Sequence, residues 1–418
     1  MNLFNGVLPI TGISFLVFCI FIIAAIGYAL GRITIKGVSL GTAGVFIVAL
    51  LFGCFFYNEF NAQLGVSAVS GEAVYYTKNA LKIVENIGLA LFVSAVGFIA
   101  GPKFFSNLKK NFKSYVLLGL IIIIAGGLVS IACIYIGRLQ GNLNNDELTA
   151  MVVGLLSGAL TSTPAFSAAK ATVATQYEDV VSVGHGIAYI FGVIGVVLFV
   201  QLVPKIAKAD MKKERELAAG ASDVKAKKID FDKLFKLDDF GFLPFFGVSA
   251  IGMLLGAIKI PLTSSGLSGT CFSLTTTGGC LLTSLIFGYL GNIGKVSVTP
   301  SDFTLKVFRE LGLMLFLIGA GIAGGASFVK YFHLTYFIYG IFMTIVPMII
   351  GYIFAKYVLK LSLLNNLGSI TGGMTSTPAL GTLIRVAGTE DVAAAYAATY
   401  PIALIAVVLI SQFLVILF

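Results

Sequence analysis

Apolar runs separated by short polar stretches recur along the whole chain, and most are long enough to cross a lipid bilayer as helices. The pattern predicts spans at about Val7–Leu30, Gly37–Phe56, Ile83–Ala100, Ser114–Ile136 and Val181–Val203. Beyond a hydrophilic interval it predicts Gly241–Ile258, Cys271–Leu290, Val307–Gly325, Leu334–Tyr357 and Val392–Leu417. Runs such as Val116–Ile136 and Ala393–Phe418 lack the alternation of apolar and polar positions that a membrane β-barrel needs. Two further segments, Glu147–Gln176 and Leu363–Gly388, are apolar but studded with glycine and hydroxyl residues and broken by proline. The first apolar run has no basic residue ahead of it and exceeds the length of a signal-peptide core, so it reads as a retained span.

Those two segments carry one motif twice. Gly154–Ala168 reads GLLSGALTSTPAFSA and Gly368–Thr382 reads GSITGGMTSTPALGT, sharing Gly-x-x-x-Gly-x-x-Thr-Ser-Thr-Pro-Ala. Other matches occur in the same order. Gly27-Tyr-Ala-Leu-Gly resembles Gly252-Met-Leu-Leu-Gly, and Gly88-Leu-Ala-Leu-Phe92 resembles Gly312-Leu-Met-Leu-Phe316. After each motif, Glu178-Asp-Val180 and Glu390-Asp-Val392 introduce a final span. Repeated order of this kind indicates an internal duplication. The chain divides into residues 1–203, a charged linker at 204–240, and residues 241–418.

Composition changes the picture chiefly by exclusion. Hydrophobic residues make up 58% of the chain, charged residues 11%, and mean hydropathy is +0.98, which excludes a soluble globular protein. The net charge of +9 does not point to nucleic acid, because 10 of the 28 basic residues lie in Lys205–Lys236 among acidic ones. The five cysteines are scattered, with no Cys-x-x-Cys pair, and His185 and His333 are far apart, so no metal site or cofactor is expected. Neither a Walker A loop nor a hydrolase elbow is present, and the chain is not expected to be an enzyme.

Basic loops set the expected topology. Arg32 and Lys36, then Lys103, Lys109, Lys110 and Lys113, belong on the cytoplasmic side. The Lys-rich linker joins them only if the first motif segment turns back instead of crossing. Each part then holds five spans and a re-entrant hairpin. An odd number of spans inverts one repeat relative to the other, with hairpin tips meeting near the bilayer midplane and both chain ends outside. The expected fold is thus an all-α membrane protein of two inverted repeats.

The tips have chemistry suited to anions. Proline suits the first turn of a new helix. Ser162 or Thr163 before Pro164, and Ser376 or Thr377 before Pro378, are N-cap candidates whose helices offer free N–H groups and partial positive charge. Together with Thr161 and Thr375 they form an anion site that requires no permanent charge in the membrane. Gly154 and Gly158, with Gly368 and Gly372, give small faces for close packing of the hairpin arms. Lys170 and Arg385 lie two turns past the prolines, roughly 10 Å from the tips. Lys170 is read as snorkelling, and Arg385 either holds a second carboxylate or snorkels. Glu85 and Glu310 are proton or cation ligands, or interfacial carboxylates. Packing is the simpler reading for His185, Tyr189 and Tyr400.

The doubled motif, with spans and a hairpin on each side of a hydrophilic centre, resembles the aspartate:alanine exchanger family. The resemblance runs from about Gly6 to Phe418, and its specific part is Thr161–Pro164 and Thr375–Pro378. It implies a secondary carrier of the bacterial inner membrane, with aspartate, alanine or C4-dicarboxylates such as succinate as substrates, and a homodimer among membrane lipid. Fold analogy adds an elevator-type antiport mechanism, with the first two spans of each repeat as scaffold. An ion-coupled symporter of an organic anion such as glutamate, or an anion channel, is the alternative. Many family members carry a regulatory domain between the repeats, and this linker is too short to hold one.

Overall fold

The computed structural model describes residues 2–3, 8–35, 38–39, 42–67, 73–110, 112–219, 235–261, 271–389 and 391–418. Helices dominate, and the strands are short antiparallel pairs in connecting segments. The first long helices are α1 (Gly12–Arg32), α2 (Ala43–Leu64), α3 (Thr77–Lys110) and α4 (Leu117–Gln140). The first motif segment forms α5 (Asn145–Ala159) and α6 (Thr163–Thr172), followed by α7 (Glu178–Ile206). In the linker lies α8 (Met211–Ala219). Then come α9 (Phe242–Gly256), α10 (Thr275–Leu290), α11 (Asp302–Tyr331) and α12 (Leu334–Ile353). The second motif segment forms α13 (Leu363–Gly373) and α14 (Thr377–Ala387), and α15 (Val392–Leu417) ends the chain.

Eight of these helices, among the described residues, are long and apolar enough to cross a membrane, so the chain is a multi-pass α-helical membrane protein. The sequence predicts ten spans, and the difference falls on α9 and α10. They have 15 and 16 residues, against 21 and 22 in α1 and α2. At 1.5 Å per residue each is roughly 22–24 Å long, short of a ~30 Å hydrocarbon core. A strand pair, Ile260–Pro261 with Cys271–Phe272, occupies the connection between them. The linker boundary also shifts, because α7 continues through Pro204 to Ile206.

At the centre α3 crosses α11, and the crossing point explains two glycines. A Cβ on Gly88 would collide with the backbone at Phe316 and Gly312, and one on Gly312 with the backbone at Phe92 and Gly88. Neighbouring helices pair around this crossing, α2 against α11 and α10 against α3, while α5 lies on α7 and α13 on α15.

The chain presents two ends. At the linker end, Glu214 and Arg215 of α8 meet the start of α13 and the end of α14. The N-terminal turn of α11 is also here, where the Thr304 hydroxyl donates to the Phe240 carbonyl at 2.9 Å. At the far end, Lys82 of α3 pairs with Glu178 of α7 at 2.7 Å and Lys78 with Asp179 at 3.4 Å. Tyr331, at the end of α11, donates to Glu147 at the start of α5. Both feet of α5–α6 therefore lie toward the far end, and both feet of α13–α14 toward the linker end.

Candidate functional site

The two Thr-Ser-Thr-Pro turns are built alike. In each, the helix stops two residues before the first threonine, and that threonine takes a left-handed conformation, φ +52° at Thr161 and +50° at Thr375. Such a φ is uncommon for a threonine. What holds it is the opposite turn. The Thr161 hydroxyl donates to the Met374 carbonyl at 3.1 Å, and the Thr375 hydroxyl donates to the Leu160 carbonyl at 2.9 Å. Each carbonyl belongs to the residue just before the other turn's threonine, so the turns are locked tip to tip by a reciprocal pair of buried hydrogen bonds. These two hydroxyls spend their protons on structure.

The next residue caps the new helix. Ser162 accepts from the Ala165 N–H at 3.3 Å and is the N-cap of α6, with Pro164 in the first turn. Ser376 is the N-cap residue of α14, but its buried hydroxyl has no partner among the described residues. The side chains of Thr377 and Pro378 lie outside the described part of the structure. Thr163 and Pro164 line a cavity of about 610 Å³ at the tips, together with Thr161 and Thr375.

The cavity reaches from the tips toward the linker end, because its other walls come from the linker-end parts of α3, α11 and α15. Arg309 and Glu310 of α11 stand in it, paired at 2.7 Å with side chains 37% and 45% exposed. Tyr189 of α7 and Tyr396 and Tyr400 of α15 also line it, the latter two stacked with ring centroids 5.1 Å apart. The site thus combines hydroxyl groups, phenols, an α-helix start and one cation beside one carboxylate, enclosed mostly by apolar walls. Its volume is in the range of small-molecule sites.

Several sequence expectations are redirected. Arg385 is exposed and is not among the residues lining this cavity, and Arg309 supplies the cavity's guanidinium instead. Arg309 was legible in one respect. Aligning Gly88 with Gly312 places it opposite Glu85, and both positions are charged. Lys170 does not snorkel. It is buried and sits 2.9 Å from Glu85, because the far-end foot of α6 packs inside the molecule. Tyr189 and Tyr400, read from sequence as core, face the cavity.

The motif glycines seat their helices on the final span of each part, not on the sister arm. A Cβ on Gly154 or Gly158 would strike the α7 backbone at Val181 and His185, and one on Gly368 or Gly372 the α15 backbone at Val392 and Tyr396. His185 gains a partner that sequence spacing did not reveal. Its Nδ1 lies 2.8 Å from the Ser157 hydroxyl of α5.

Comparison with known proteins agrees with this architecture. Residues 19–205 and 244–416 match the aspartate–alanine exchanger family described as Predicted Permease Membrane Region, leaving out most of the linker. An uncharacterized transporter of Bacteroides fragilis is 28% identical, covering 94% of this chain and 97% of its own length. Another of Bacteroides thetaiotaomicron is 27% identical with the same coverage. One of Desulfotalea psychrophila is 23% identical, covering 96% of each chain. The alignment with the first spans 551 positions, more than the 418 residues here, so that relative carries sequence without a counterpart in this chain. The family match extends over both motif segments and most of the chain on either side of the linker, and on that ground this membrane transporter belongs to the aspartate:alanine exchanger family.

Proposed function

We propose that the protein is an antiporter that exchanges small carboxylates, of the size of aspartate, alanine or succinate, by alternating access. The observation that carries this reading is the tip-to-tip lock of Thr161 and Thr375 at the head of the 610 Å³ cavity. Two helix starts meet there, as in carriers built from repeats around a midplane site. The substrate carboxylate is held by Arg309, the Thr163 hydroxyl and N–H groups at the start of α14. Tyr189, Tyr396 and Tyr400 enclose the remainder. Glu310 offers a counter-charge for an ammonium group.

The two parts of the chain are read as inverted repeats, each with a re-entrant pair, α5–α6 and α13–α14. Corresponding helices pair correspondingly around the Gly88–Gly312 crossing, which supports a two-fold relation. Positive charge in the linker places its end in the cytoplasm, so the cavity faces inward and the chain ends lie outside. The protein works in a bacterial inner membrane as a homodimer, with lipid around it. Exposed apolar side chains such as Phe21 and Leu254, on α1 and α9, suit the scaffold and dimer surface of an elevator. Arg385 lies outside this binding role.

Counterflow in proteoliposomes tests the proposal. Liposomes preloaded in turn with aspartate, alanine, succinate, glutamate or oxalate are expected to take up labelled substrate without an ion gradient, and only with a matching preload. Uptake that needs a sodium or proton gradient would replace exchange by symport. Sustained current without substrate on the opposite side would replace it by a channel.

A further inference from the structure

The inward cavity has a closed counterpart on the opposite side of the tips, and its residues can be matched one by one. Gly154 rests on Val181 and His185, and Gly368 rests on Val392 and Tyr396, so His185 stands where Tyr396 stands. Four residues further along, Tyr189 corresponds to Tyr400. Phe166 and Leu380 are both three residues past the last threonine of their motif. Tyr396, Tyr400 and Leu380 line the open cavity. Of their counterparts, His185 and Phe166 are both fully buried, while Tyr189 borders the open cavity itself.

Phe166 fills the space. Its ring stacks on the His185 ring at 4.1 Å and 6°, and meets Phe316 edge-on at 5.4 Å. Lys170 closes it from the far end, 2.9 Å from Glu85 and with its Nζ 5.7 Å from the Phe166 ring centre. Lys82–Glu178 and Lys78–Asp179 lie beyond. A charge pair and an aromatic ring thus occupy the position that is open water-accessible space on the linker side.

Behind the plug is one polar atom without a function in the packing. His185 Nε2 is buried with no partner among the described residues. Its state follows from the other nitrogen. The Ser157 hydroxyl lies 2.7 Å from the Gly154 carbonyl, which only accepts, and 2.8 Å from His185 Nδ1. Both contacts are satisfied together when serine donates to the carbonyl and Nδ1–H donates to serine. Nε2 is then a bare acceptor, and an unpaired buried acceptor is costly enough to call for a ligand.

We infer that His185 is a substrate-binding residue of an outer vestibule, occluded here by Phe166 and sealed by Lys170–Glu85, and that its Nε2 accepts a hydrogen bond from a substrate amine. The inference rests on the alternating-access reading above. When the seal parts, Phe166 leaves the His185 ring, and the substrate meets His185 as it meets Tyr396 on the inner side, with Tyr189, which also lines the inner cavity, shared by both.

Thiol labelling tests it in protein whose five cysteines have been replaced. His185→Cys and Tyr396→Cys are made singly and treated with an impermeant reagent in vesicles of either orientation. Tyr396→Cys is expected to react from the linker side at rest. His185→Cys should react from the opposite side, about tenfold faster during substrate turnover or when Glu85→Gln and Lys170→Gln together remove the seal. His185→Cys that stays unreactive in both conditions, in protein that transports, overturns the inference.

His185→Phe adds a readout that packing would not move. It should raise the far-side KM for an amine-bearing substrate about tenfold, the worth of one hydrogen bond to a charged group, and raise the linker-side KM and the far-side KM for succinate, which has no amine to donate, by clearly less. An equal change at both sides overturns the assignment. If the wild-type protein exchanges nothing, the transport reading fails separately. Labelling of the unsealed His185→Cys variant then decides the vestibule alone, present if it reacts and absent if it does not.

Discussion

In each turn a single threonine stands where the backbone conformation would favour a glycine. Its backbone enters the left-handed region at a cost, and its hydroxyl repays that cost by bonding to the other turn. Thr161→Val and Thr375→Val are each expected to destabilise the protein by about 0.5–1.5 kcal/mol, the net worth of one hydrogen bond. Thermal unfolding in detergent measures this, and equal stability of both variants with wild type would contradict the lock. Thr163 is different, because it lines the same cavity without a hydrogen bond to the opposite turn among the described residues, which leaves its hydroxyl to meet substrate. Thr163→Val should insert and fold normally yet weaken substrate affinity by roughly threefold to tenfold, again one hydrogen bond. Arg309→Gln should weaken it further, by about tenfold or more, since it removes a charge-assisted contact. Binding measured by substrate-induced thermal shift checks both. Arg385→Gln should change affinity little.

Elements explain what holds those residues in place. The α5–α6 pair caps itself, with Asn144 accepting from the Glu147 N–H at 2.8 Å. The α13–α14 pair is capped by its neighbour α8. Glu214 accepts from the Leu363 N–H at 2.8 Å, where Ser362 forms no cap, and Arg215 donates to the Ala387 carbonyl at 2.7 Å. Adjacent residues of one linker helix thus satisfy the positive end of one arm and the negative end of the other. Met211 and Ala218 of α8 add apolar contact with Leu364, Leu383 and Val200. Glu214→Ala is expected to cost about 1 kcal/mol, as loss of an N-cap does, seen as a lower unfolding temperature. The hydrophilic composition of the linker gave no sign of this task, because a capping contact 149 residues away leaves no local pattern.

At the scale of the whole molecule, asymmetry matters more than repetition. Corresponding positions carry different residues: Glu85 against Arg309, Phe166 against Leu380, His185 against Tyr396. On one side these produce a buried charge pair and an aromatic plug, and on the other an open cavity. Breaking the pair on one side only, by Lys170→Met, leaves Glu85 buried without a partner and should cost about 3–5 kcal/mol. Adding Glu85→Leu should recover most of that loss, because an apolar pair of similar volume fits the site. Expression and unfolding temperature of the single and double variants check this. No recovery in the double variant would mean the pair is needed for more than neutrality.

What the chain determines by itself is local and periodic. The length of apolar runs places the long helices, with Val392–Leu417 coinciding while Ile83–Ala100 extends to Thr77–Lys110 and Gly37–Phe56 shifts to Ala43–Leu64, because a helix in lipid must satisfy its own backbone bonds. Proline after serine and threonine gives the starts of α6 and α14, since capping is settled within three residues. The doubled motif likewise singles out both turns. Tertiary structure alone decided which groups share a cavity. Arg309 and Tyr396 enter it, while Arg385 does not, because helix rotation and depth are set by packing against neighbours. The partners of Lys170, His185 and Glu214 are 85, 28 and 149 residues away, distances over which residue type carries no information about contact. The shortness of α9 and α10 is of the same kind. Hydrophobicity measures how much apolar sequence exists, while the pairing of Ile260–Pro261 with Cys271–Phe272 takes the start of the predicted Cys271–Leu290 span out of the helix.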